Sequence, residues 1–199
     1  MKKITIFIAV LAMVMSFAGR CLAAEADEPV VYFDVPPEVL DQACKEDVWK
    51  GVTAKFAGAK DMRDRKEIGI QTKGDTEVQV ISSPAIDVVM GNALKDLFQE
   101  CGMNLLDKVP EGGMVITADV REFFIDVEKT LVSGKSRSES LITFNINKGG
   151  QITSIDIGME IDGKDVRKKD IKAVRTAADK LLAETLKAIP ANRLMREIK

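Results

Sequence analysis

The chain has three cysteines and no histidine, which narrows the chemistry open to it. Without imidazole there is no Ser-His-Asp triad, no Cys-His dyad and no His-ligated metal. Catalysis would have to run through carboxylates, lysine or tyrosine, without the commonest general base. Cys21 is a thiol that lipoprotein processing would acylate, if the chain is cut just before it. If Cys21 leaves with a leader, Cys44 and Cys101 remain. An even pair in an oxidising compartment forms one disulfide or stays as two buried thiols, and both readings stand at this point.

Two charged clusters are the other candidates. Asp61, Arg63 and Asp64, followed by Arg65 and Lys66, make a dense loop of mixed charge. It reads as a polar recognition loop or as a solvated connection with Asp61 and Arg63 paired locally. Arg167, Lys168 and Lys169 open the last helix, and Lys172 and Arg175 extend the basic side. Cations there oppose the helix dipole. They read as an anion or headgroup site for phospholipid or lipopolysaccharide phosphate, or as a solvent face balanced by Asp165 and Asp170. Asp119, Glu122 and Asp126 lie along one strand without a recognisable acid/base pair. Asp156, Glu160 and Asp162 could collect a cation but lack a calcium-loop pattern. Trp49 and Tyr32 are single aromatics, expected to pack rather than to stack a ligand. No phosphate loop, CxxC pair or nucleophile elbow is present, and no cofactor or metal site is expected.

Charge is distributed unevenly. Residues 25–164 carry −10 and residues 165–199 carry +5. An acidic body, a pI near 5.4 and an export signal argue against nucleic acid.

The elements that must position these residues begin after a leader. Lys2 and Lys3, an apolar run from Ile4 to Phe17 and the small residues near Ala24 form the pattern of a secretory signal over residues 1–24. The run is too short to span a bilayer, so no transmembrane helix is expected in the mature protein. Cleavage after Ala24 or Ala26 would release a periplasmic protein. Arg20, directly before Cys21, disfavours the alternative of an outer-membrane lipoprotein anchored at Cys21.

Residues 25–47 read as a tether with one short helical turn opened by Pro36-Pro37. Val48–Phe56 is a strand candidate with Trp49 on its outer side, and Gly58–Lys66 a loop. Short β-runs flank Lys73-Gly74-Asp75. A helix follows from Pro84 to Cys101, capped by Ser83, with Ile86, Met90, Leu94 and Leu97 on its buried face. Gly91 inside it implies close packing. Three long strands come next, the first with a parity shift between Val120 and Phe123 that implies a bulge. The second carries Ser138, Ser140, Ile142, Phe144 and Ile146 on one face. It turns at Asn147-Lys148-Gly149-Gly150 into the third. Asp165 is expected to cap a last helix that Pro190 stops. Residues 48–190 thus form a single α+β domain, an antiparallel sheet with two helices packed on one face as a two-layer sandwich, and residues 191–199 are a tail.

This order, with Val52-Thr53-Ala54-Lys55-Phe56 and the stretch Asp61-Met62-Arg63-Asp64 followed by Ile68-Gly69, resembles the YajG-like lipoproteins and the broader ABC-transport auxiliary lipoproteins. The resemblance spans about residues 48–187. It implies a cell-envelope lipoprotein without an assigned reaction, accessory to an envelope protein complex such as a transporter or to lipid headgroups. No catalytic residue carries over. The competing expectation from another class is a periplasmic carboxylate-dependent hydrolase.

Overall fold

The computed structural model describes residues 29–33, 35–73, 76–129, 134–164 and 170–198. The leader with Cys21, the turn residues Gly74 and Asp75, and Asp165 with Arg167, Lys168 and Lys169 lie outside the described residues.

Three long antiparallel strands carry the sheet: β6 (Met114–Lys129), β7 (Gly134–Lys148) and β8 (Gln151–Lys164). On β6 the buried set is Met114, Ile116, Ala118 and Val120, then Phe123, Ile125 and Val127. The register with β7 slips between Val120 and Glu122. One extra residue there keeps both runs on the core side, where strict alternation would have turned the second run to solvent. β7 buries Ser138, Ser140, Ile142 and Phe144 on the same side. Gly149 and Gly150 have φ of 60° and 85°, the positive pair that a tight two-residue hairpin requires.

The remaining strands correct the expected antiparallel sheet. β2 (Thr53–Asp61) runs parallel to β6 beside Met114–Val120, and β3 (Gly69–Lys73) runs parallel to it at Ile125. β4 (Thr76–Ser83) is antiparallel to β3, β1 (Val30–Tyr32) is parallel to β4, and β5 (Asn104–Leu105) is parallel to β2. The eight-stranded sheet is therefore mixed and open. Alternation reports which side chains face the core; it carries no information on the direction of the neighbouring strand.

Among the described residues four helices accompany the sheet: α1 (Pro37–Ala43), α2 (Ile86–Glu100), α3 (Ile171–Ala191) and α4 (Arg193–Arg196). α2 and α3 cover the apolar face. Phe98 of α2 meets Phe144 of β7 at 6.2 Å between ring centres, and Thr185 of α3 shares a 2.6 Å hydrogen bond with Ser140. The opposite face is polar and open. Cys44, just past α1, and Cys101, just past α2, are joined by a disulfide with Cα atoms 4.8 Å apart.

Several local expectations fail for identifiable reasons. Ser83 does not cap α2, because it is still paired in β4 opposite Tyr32, and the helix starts after Ala85. Residues 48–51 form a turn, so the first body strand is Thr53–Asp61 and Trp49 is buried in the core. Its Nε1–H donates to the Met195 carbonyl at 2.7 Å, which pins the C-terminal segment. The cap of α3 is Asp170, whose carboxylate accepts from the Ala173 N–H at 3.0 Å. Pro190 lies inside α3, one residue from its end. A proline in the last turn removes only one backbone bond, and Asn192 then caps α4 by accepting from Leu194 N–H.

Candidate functional site

The edge strand β1 and the first turns of α3 bound a slot of about 430 Å³. Its strand side is Val30, Val31 and Tyr32, and its helix side includes Ile171, Lys172, Arg175 and Thr176. The local patterns explain the geometry. Val31 points inward and is buried, so Tyr32 must point outward, where it is 63% exposed. On α3, Val174 and Ala178 face the sheet, which leaves Lys172, Arg175 and Thr176 on the rim.

The rim combines apolar walls with two cations. Arg175 Nε stands 3.9 Å from Asp179, a loose pair between exposed groups. Partial burial pushes the Asp179 carboxyl above its ordinary range, and the Arg175 guanidinium only partly offsets this. Both partners are exposed, so this loose pair leaves the Arg175 guanidinium accessible, and Lys172 is exposed beside it. The arrangement suits an anion attached to an apolar stem: a headgroup at Lys172 and Arg175, with the stem along Val30, Tyr32 and Ile171.

The structure thus gathers Lys172 and Arg175 with an aromatic and an apolar strand that the sequence reading did not assign to the site. Tyr32 does not pack, as expected from sequence, but stands on the slot's rim. The signal that could have revealed it is the apolar triplet Val30-Val31-Tyr32, a strand pattern standing in what reads as a tether.

The Asp61–Arg63 loop serves another purpose. Arg63 has a side chain only 2% exposed. Its five N–H donors all find acceptors: the two Asp61 oxygens at 2.8 Å each, and the carbonyls of Lys66, Glu67 and Phe123 at 3.2–3.3 Å. It closes the gap where β2 leaves β6 and β3 resumes. Partial burial would raise the Asp61 carboxyl, but the Arg63 hydrogen bonds and charge, with Lys66, outweigh it and hold the group below its ordinary value. Asp64 is exposed at the loop's tip, and Arg65 stacks on Phe124 at 4.1 Å. The pairing of Asp61 with Arg63 is local, as one sequence reading had it, but the arginine is not solvated.

Three carboxylates of the open sheet face each take a hydrogen bond or ion pair from a neighbour. Asp119 accepts from Asn145 at 3.0 Å and Asp156 from Thr143 at 2.7 Å, while Glu160 faces Arg137 at 3.0 Å. Among the described residues no group of three or more metal-ligating side chains converges.

A family model described as an uncharacterised lipoprotein matches residues 51–198. No curated protein matches the chain. Among solved structures, an uncharacterised protein is 14% identical with a TM-score of 0.49, covering 87% of this chain and 100% of its own. A Xanthomonas campestris protein of the DUF330 family is 14% identical with a TM-score of 0.45, covering 71% of this chain and 81% of its own. A minor lipoprotein from Acinetobacter baumannii is 13% identical with a TM-score of 0.35, covering 73% of this chain and 93% of its own.

Proposed function

We propose, from the premise that the chain belongs to this family of uncharacterised, YajG-like lipoproteins, that it is a non-enzymatic binding component of the cell envelope. Its ligand is an anionic amphiphile such as a phospholipid, and the β1–α3 slot receives it. The observation that carries this reading is the juxtaposition of Lys172 and Arg175 with the apolar strand Val30–Tyr32. Arg167, Lys168 and Lys169 precede α3 in sequence and add to the same positive segment. In this reading the protein serves an envelope complex that handles lipid, and it is released into the periplasm by cleavage after Ala24 or Ala26. Anchoring through Cys21 is the alternative, and the intact mass of the mature protein separates the two.

The test is co-sedimentation of the mature protein with vesicles of phosphatidylcholine alone or mixed with phosphatidylglycerol. Binding should appear only with the anionic lipid and weaken as salt rises. The double variant Lys172→Ala/Arg175→Ala should weaken it by roughly thirtyfold, since each basic residue near an anionic surface contributes about 1 kcal/mol. Tyr32→Ala should weaken binding without changing its salt dependence. Equal binding by wild type and the double variant would place the ligand elsewhere.

A further inference from the structure

The outer edge of β8 points to an interaction that does not depend on the slot. Among the described residues β8 pairs only with β7. Its register is unbroken from Lys135 opposite Lys164 to Lys148 opposite Gln151. A two-residue hairpin makes Lys148 and Gln151 the first hydrogen-bonded pair, so the odd-numbered residues of β8 bond to β7. The even-numbered residues, Ile152 to Asp162, then turn their N–H and C=O groups to the open edge. Sheets ordinarily blunt such an edge with a short strand, a proline, a bulge or an inward-pointing charge. β8 is 14 residues long, has no proline and no bulge, and carries no charge on its inward side from Gln151 to Ile161.

The side chains beside those outward groups select the occupant. Asp156, Glu160 and Asp162 stand on the open face, with Arg137 of β7 shared between Glu160 and Glu139. A second copy paired antiparallel about Gly158 would set Asp156 against Glu160 twice, and like charges directly opposite destabilise a strand pair. A basic strand meets the opposite situation. We propose that β8 accepts an extended, lysine- or arginine-rich segment of a partner protein as a ninth strand. Backbone hydrogen bonds hold the segment, and its cations face Asp156, Glu160 and Asp162.

The probe is a short synthetic peptide alternating lysine and valine, with a control whose outward amides are N-methylated. Hydrogen exchange on the full mature chain should show slowed amides in β8 with the first peptide and none with the control. Gly158→Pro removes only an edge-facing N–H and should weaken binding about tenfold or more. Asp156→Asn with Asp162→Asn should weaken it several-fold and flatten its salt dependence. If Gly158→Pro does not fold, the methylated control on the wild-type chain decides. The proposal is overturned if the peptide slows no β8 amide, if the methylated control binds equally, or if the chain alone forms a dimer that protects the same amides.

Discussion

Arg63 shows how one side chain can hold two strands in place. Asp61 stays within reach of water, so removing Arg63 costs chiefly the donors to the part-buried Glu67 and Phe123 carbonyls, at about 1–3 kcal/mol for such a loss. Arg63→Ala should therefore lower stability by about 2 kcal/mol in urea titrations, and Arg63→Lys should recover little, since an ammonium cannot span five fixed acceptors. The pH dependence has a defined sign. The Asp61 carboxyl is held below its ordinary value in the folded state. Its contribution is full above the unfolded value and is lost as pH falls through the folded one. Asp61→Asn should remove that part of the acid transition. The spacing Asp61-Met62-Arg63 made the local pair legible in the sequence. The burial was not legible, because three of the five acceptors are backbone carbonyls, and one belongs to Phe123 on a different strand. A carbonyl acceptor leaves no residue-type signature.

At the level of elements, two glycines separate packing from conformational cost. Gly91 in α2 was expected to mark close packing. A Cβ there would lie 3.5 Å from Ala59 N, an ordinary contact. Gly91→Ala should therefore stabilise the fold by about 0.5–1 kcal/mol, the usual gain inside a helix. Gly69 on β3 is different: a Cβ would meet the Ile125 carbonyl and Val174 Cγ1, both at 2.9 Å. Gly69→Ala should lower the melting temperature, because α3 sits directly on that strand. Thermal melts of both variants check the pair. The buried faces of α2, β6, β7 and β8 were readable from periodicity, including the shift at Val120. Helix starts were not, because Ser83 has the chemistry of a cap but is held in β4, and Asp170 competes with Asp165 as the first carboxylate before the apolar stripe.

For the molecule as a whole, the disulfide ties the ends of α1 and α2 across 57 residues of sequence. A closed loop of that length is worth about 4 kcal/mol in the chain-entropy account. Cys44→Ser/Cys101→Ser should lower the melting temperature by about 10 °C, measured against the oxidised wild type. The sequence allowed this bond without choosing it, since spacing does not report distance. The mixed sheet and the slot were illegible for a related reason. Lys172 and Arg175 could be singled out as cations, but their apolar partners Val30 and Val31 come from the far end of the chain and reach α3 only through pairing with β4.

Trp49 is the chain's single tryptophan, it is fully buried, and its indole bonds to the Met195 carbonyl. The protein therefore carries its own optical reporter. Its ultraviolet emission comes from one site, where the disulfide-bearing loop, α2 and the C-terminal segment meet. Every unfolding titration described above can be followed without a label, and the colour of that emission records whether the C-terminal segment is seated.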